Sequence, residues 1–141
     1  MKKPTEHLIY DENPAKERVL EFHEGLREYN AQFVGGDAVP FAAIVSTAEG
    51  KTVAGINGTT YWGRMHVENL WVAQSFRGQG IGSKLLRMAE DIARQRDCTG
   101  VDLDTMSFQA PEFYEKHGYR NMGVVPGFSK GHHRTYYSKE I

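Results

Sequence analysis

Few residue types are in excess in this 141-residue sequence, and its shortages narrow the possibilities first. Cys98 is the only cysteine, so no intrachain disulfide can form and no zinc cluster is spelled out. Neither sign of charge dominates: 17 basic residues face 18 acidic ones, for a net charge of −1. No one-signed field therefore points to nucleic acid or to an anionic membrane. No apolar run approaches the roughly 20 residues of a membrane span. The start, MKKPTEHLIYDENP, has two lysines but no apolar stretch behind them, unlike a signal peptide. Repeats, low-complexity tracts and linkers are missing as well. These exclusions leave the expectation of one soluble, cytoplasmic domain over residues 1–141, long enough to bury a real core.

What is present is a mixture of both hydrophobic periods. HLIYDE reads as a short first strand, and Asn13 with Pro14 as a helix cap and first-turn proline. Val19, Phe22, Leu26, Tyr29 and Phe33 recur at helical spacing, predicting a helix over about 14–31. FAAIVSTAEGKTVAGI reads as two strands about a Gly50–Lys51 turn. Asn57-Gly58 resembles a hairpin turn, but strand continues beyond it, so a bulge or kink is expected there. Trp62-Gly63-Arg64 is the turn into a central strand, MHVENLWV. Ile81, Leu85, Met88/Ala89, Ile92 and Arg96 mark a second helix over about 81–96, followed by the strand GVDLDTM. APEFYEKHG is a short helix with Pro111 in its first turn and Gly118 as its stop. YRNMGVV and HRTYYSKE close the chain as strands. The predicted order β-α-β-β-β-α-β-α-β-β is an α/β mixture with one strand–helix–strand unit.

Between the central strand and the second helix lies SFRGQGIGSKLL, with glycines at 78, 80 and 82. Glycine is a poor residue with which to start a helix, so these three need a reason. A nucleotide P-loop needs Lys-Ser/Thr after its last glycine, which is missing. A dinucleotide fingerprint needs a third glycine at position 83, where Ser83 stands, and a second half-sheet for which too little chain remains after Asp102. A helix N-terminus with unpaired N–H groups and partial positive charge does suit a diphosphate, and glycine lets the backbone curl closely around one.

Arg77-Gly78-Gln79-Gly80-Ile81-Gly82 resembles Arg/Gln-x-x-Gly-x-Gly/Ala, the pyrophosphate loop of the GNAT family of N-acetyltransferases, and FYEKHGY resembles that family's downstream xYxxxGF segment. The element order is similar from end to end. The resemblance implies a mixed, mostly antiparallel sheet of about six to seven strands with a central parallel strand–helix–strand unit, splayed at the cofactor site. It implies acetyl-CoA as acyl donor, a primary amine of a small molecule or peptide as acceptor, direct transfer, and no metal. Leu70, Trp71 and Val72 would form the cofactor wall, with backbone groups of Leu70 and Val72 bonding the pantetheine arm. Arg77, Gly78, Gln79, Gly80, Ile81, Gly82 and Ser83 would hold the diphosphate. Tyr114 matches the tyrosine that supplies a proton to the departing thiolate. The base is open between Glu68, His66 and water; alternation along the strand puts both side chains on one face. Ser107 stands where relatives carry an asparagine that bonds the cofactor arm. Trp62 is read as a core or wall residue, and His132 and His133 as solvated loop residues. Glu68, Asp102 and Asp104 hint at a cationic acceptor. No nucleic-acid or membrane partner is expected, while a homodimer through the last strand is open. The alternatives are a non-catalytic acyl-CoA-binding regulatory domain and an interaction module on the same fold.

Overall fold

The computed structural model describes residues 3 and 5–141. The chain forms two compact units, Met1–Gly36 and Asp37–Ile141. The first contains helix α1 (Lys16–Asn30), which begins two residues beyond Pro14. Asn13 does not cap it; its N–H bonds the Asp11 carboxylate at 2.9 Å in a local turn. The strand expected over HLIYDE does not form. Leu8, Ile9 and Tyr10 are all exposed, so no alternation of buried and open faces sets a register there. The helical spacing from Val19 onward is realised, although no residue of α1 is buried.

The second unit is a six-stranded sheet built from β1 (Val39–Ser46), β2 (Thr52–Tyr61), β3 (Arg64–Val72), β4 (Gly100–Met106), β5 (Arg120–Val125) and β6 (Arg134–Glu140). Spatial order is β1-β2-β3-β4-β6-β5. Every neighbouring pair is antiparallel except β3 and β4. Helix α2 (Ile81–Gln95) makes the crossover between those two, and the short α3 (Pro111–Lys116) follows β4. Leu85, Leu86, Ala89 and Ala93 of α2 are buried with Ala54, Ile56, Met65, Val67, Val101 and Leu103 of the sheet. Burying one such leucine stabilises the fold by about 1.5–3 kcal/mol. Of the expected Met88/Ala89 pair, Ala89 is buried and Met88 exposed; Glu90 is buried as well, bonded by Tyr119 Oη at 2.9 Å and Lys139 Nζ at 3.1 Å.

The irregularity expected at Asn57-Gly58 is present and shapes the molecule. Asn57 pairs with Asn69 but Gly58 with Val67, so Glu68 is an extra residue in β3. A side chain at Gly58 would run into the His66 carbonyl, which is why glycine faces this bulge. The extra residue shifts the alternation of β3. Met65 and Val67 face the core before it, and Leu70 and Val72 pack toward the same core after it.

Candidate active site

β3 and β4 pair only over Arg64↔Gly100, Met65↔Val101 and His66↔Asp102. Beyond that rung they part, and the gap widens into a cavity of about 810 Å³ running to the glycine loop. Its walls include Val67 to Val72 on β3, Leu103 to Thr105 on β4, and Phe113 and Tyr114 on α3. The Ala73 N–H bonds the Val53 carbonyl on β2 at 2.8 Å. Backbone groups alternate along a strand, so those of Val72 and Leu70 turn the other way, into the gap. The Val72 carbonyl is taken by Arg77 Nε at 2.9 Å, which leaves the Val72 N–H and the Leu70 groups as the open part of that edge.

At the mouth, Gly78 and Gly80 both adopt left-handed φ, +78° and +80°, and Gly80 is the N-cap of α2. Here the backbone conformation, more than crowding by protein, calls for glycine: a Cβ at either would meet nothing within 4 Å. The first backbone bond into the helix is Lys84 N–H to the Gly80 carbonyl, 3.1 Å. Among the described residues, the N–H groups of Ile81, Gly82 and Ser83 find no acceptor, and no side chain caps the helix. Those donors and the positive end of a 15-residue helix make a site for an anion.

Tyr114 is buried against Phe113, Tyr119 and Tyr137, and it borders the cavity. Among the described residues its hydroxyl has no hydrogen-bond partner. Burial, and secondarily the charge of Asp104, pushes the phenol up to about 12. It is a neutral donor throughout the physiological range.

Of the two candidate bases, Glu68 borders the cavity and His66 does not. The Glu68 carboxylate accepts from Thr59 Oγ1 at 3.3 Å and Asn57 Nδ2 at 3.5 Å. It also borders a second hollow of about 460 Å³ with Pro40, Ala42 and Thr59. Asp102 is committed elsewhere: Arg64 grips it through Nε and Nη2 at 2.8 and 2.7 Å, and this bond holds its carboxyl below the usual range. Asp104 borders the cavity, with Arg134 Nε 3.4 Å away.

Leu70, Trp71, Val72, Arg77, Gly78, Gly80, Ile81, Gly82 and Ser83 all line the cavity, whereas Gln79 and Ser107 do not. The Ser107 hydroxyl is 2.9 Å from His132 Nδ1 and accepts the His133 N–H at 3.1 Å. It ties the last loop to the end of β4, and His132 is thereby a partner in that tie and not merely solvated. The lining there comes from Phe108, Gln109 and Ala110, which no motif in the sequence flagged. Trp62 lies outside the lining, and Cys98 is buried away from it with its thiol pushed up by burial. Among the described residues no group of three or more His, Cys, Asp or Glu could hold a metal. No helix among them is long and apolar enough to cross a membrane.

A parallel pair split over a helix end, with a strand edge left open, is the frame of an acetyltransferase. The chain belongs to the Acetyltransferase (GNAT) family, whose model matches residues 6–119, and it is accordingly an N-acetyltransferase. It is 37% identical over 92 residues to a blasticidin-S acetyltransferase of Streptomyces morookaense, covering 64% of this chain and 68% of that one. The crystal structure of an acetyltransferase from Bacillus cereus ATCC 14579 superposes with a TM-score of 0.83 at 36% identity, covering 94% of this chain and 98% of that one. A Bacillus anthracis protein assigned as a streptothricin acetyltransferase, solved with acetyl coenzyme A, shares the fold at 20% identity and a TM-score of 0.64, over 72% and 62% of the two chains.

Proposed function

We propose that this protein binds acetyl-CoA in the β3–β4 cleft and passes the acetyl group directly to a primary amine on a positively charged small molecule, with residues 1–141 acting as one catalytic domain. The observation that carries this reading is the parting of β3 from β4 beyond His66 and Asp102, which leaves the Leu70 edge facing a gap that ends at the uncapped start of α2. An extended pantetheine arm bonds such an edge as a strand does. The diphosphate then meets the N–H groups of Ile81, Gly82 and Ser83, each contact contributing on the order of 1–2 kcal/mol. Relatives that act on small molecules, among them the blasticidin-S acetyltransferase, support the acceptor class.

In the transfer a neutral amine attacks the thioester carbonyl; the C–N bond forms, the C–S bond breaks, and the amine gives up a proton. Glu68 accepts that proton, directly or through one water. A β3 amide facing the gap stabilises the oxyanion. Tyr114 donates a hydrogen bond to the departing sulfur. Full proton transfer from a phenol near 12 to a thiolate whose acid lies near ~8.5 runs uphill by on the order of 5 kcal/mol, so donation without transfer is the role its burial supports. With Asp102 gripped by Arg64 and Asp104 paired with Arg134, Glu68 is the carboxylate of the lining left to attract a cationic acceptor.

Calorimetric titration with acetyl-CoA, followed by turnover assays on a panel of amines, tests the proposal. Micromolar binding with turnover of cationic amines and not of neutral ones is the expected result. Folded protein that binds no acetyl-CoA would overturn it.

A further inference from the structure

His117 has no part in the roles above. It follows α3, with its ring against Phe113 at a centroid distance of 4.4 Å, and both ring nitrogens are engaged. Nδ1 lies 2.7 Å from the Phe113 carbonyl and Nε2 lies 2.9 Å from Ser83 Oγ. A carbonyl cannot donate, so Nδ1 carries the proton of the neutral ring, and Nε2 is left to accept the Ser83 O–H. Ser83 is the third residue of α2, the last of the three with an unbonded N–H at the mouth of the cleft. Its hydroxyl hydrogen is therefore turned toward the histidine, and only lone pairs face a ligand at the helix end. That is a poor arrangement for an anion.

We propose that His117 is a positioning residue whose second proton reverses the polarity of Ser83 when the cofactor binds. The inference rests on the acetyl-CoA reading above. When Nε2 takes up a proton from solvent, it donates to Ser83 Oγ, and the serine O–H is released to a diphosphate oxygen. One proton enters, no covalent bond between heavy atoms changes, and the ring keeps both partners without moving. An imidazole is the side chain whose ring can carry one proton or two, so the exchange needs no other group. The charged side chains on the two helices are Lys84, Arg87, Glu90, Asp91 and Arg94 on α2, and Glu112, Glu115 and Lys116 on α3. Glu115 is held by the Tyr137 hydroxyl at 2.8 Å, and Lys139 of β6, which reaches the neighbouring Gly118, is held by Glu90 at 3.1 Å. All of these stay in place in the variants below, so the difference from wild type reads the His117–Ser83 pair.

Calorimetry in buffers of different ionisation enthalpy counts the protons taken up on binding. The probe is acetyl-dephospho-CoA, because the 3′-phosphate of the full cofactor itself titrates near pH ~6. Wild-type protein is expected to take up a fraction of a proton on binding. Its affinity should strengthen as pH falls, by at most about tenfold per pH unit for a single linked proton. His117→Gln and Ser83→Ala should each abolish the uptake and flatten that profile, whereas a merely structural contact would weaken binding equally at every pH. Unchanged uptake in either folded variant, or none in wild type, would overturn the proposal. Should His117→Gln fail to fold, Ser83→Ala decides alone. A folded wild type that binds no probe at any pH would overturn the acetyl-CoA reading, and this inference with it.

Discussion

The two ends of the β3–β4 pair are built from opposite physics. At the closed end, three rungs of parallel pairing are clamped from the side by Arg64, whose guanidinium reaches Asp102, Ser138 and Glu140 at 2.7 to 3.2 Å and so staples β3, β4 and β6 together. At the open end, four residues along, the strand edge and a helix start present donors with nothing to bond. Unmet hydrogen-bonding groups cost stability wherever they are shielded from water. The closed end fixes the two strands relative to each other, and in the proposed reading a ligand would complete the ladder that the sheet leaves unfinished. Catalytic capacity and stability are thus separable along one pair of strands.

That division can be attacked from either side. The largest effect is expected at the open end from Gly80→Val. A β-branched residue at a φ of +80° costs roughly 1–3 kcal/mol in conformation alone. Its side chain would also fill the space left for the diphosphate, so acetyl-CoA affinity should fall about a hundredfold by calorimetry; unaltered affinity would remove the diphosphate from this loop. Tyr114→Phe comes next, with kcat down about 10- to 100-fold and acetyl-CoA affinity within about threefold of wild type. Unchanged turnover with every accepted amine would strip Tyr114 of its role and favour a domain that binds acyl-CoA without chemistry. Because the phenol is pushed up to about 12, its ionisation should add no alkaline limb to the rate profile below about pH 11.

At the closed end, Asp102→Asn should cost stability and leave the chemistry largely alone, by about 1–2 kcal/mol since both partners are over a third exposed. Its pH dependence has a definite sign. Arg64 holds the folded carboxyl below the unfolded value near ~3.9, so the contribution is complete above that value and vanishes as pH falls through the lower, folded one. Wild type and variant should accordingly differ in denaturation midpoint at pH 7 and converge below about pH 4. The smallest effect is expected from Cys98→Ala. The buried thiol lies outside the cleft, so turnover should stay within about twofold, and a large loss would mean the acyl group passes through a covalent intermediate.

How much of this was legible in the sequence follows the range of the forces involved. Helix α2, the turn at Gly63 and the bulge opposite Gly58 are local events, and local spacing forecast each of them. The register does shift at Asn57-Gly58 on β2, but the bulge itself is on β3, where Glu68 is the surplus residue, and that depends on cross-strand pairing. The glycines carry a requirement that the motif alone does not show: Gly78 and Gly80 adopt positive φ, so the loop's own backbone calls for glycine whatever room a ligand needs. Ser107 could not be read from its neighbours, because its partners lie some 25 residues away in the last loop. His117 was invisible for the same cause; its bond to Ser83 spans 34 residues. HLIYDE failed as a strand because six residues with three adjacent apolar side chains do not choose a face.

The surplus residue in β3 has a consequence for how such a protein can diversify. On either side of Glu68 the strand is written in two phases, and the set that faces the core, Met65, Val67, Leu70 and Val72, no longer shares a single parity. The complementary set, Glu68, Asn69 and Trp71 among it, borders the cavity without being tied to the packing of α2. New acceptors can be admitted by rewriting the second set one letter at a time. Deleting Glu68 would do the reverse: the two phases would merge, Leu70 and Val72 would fall into step with Met65 and Val67 on the core face, and β3 would regain the even alternation that full-length pairing requires.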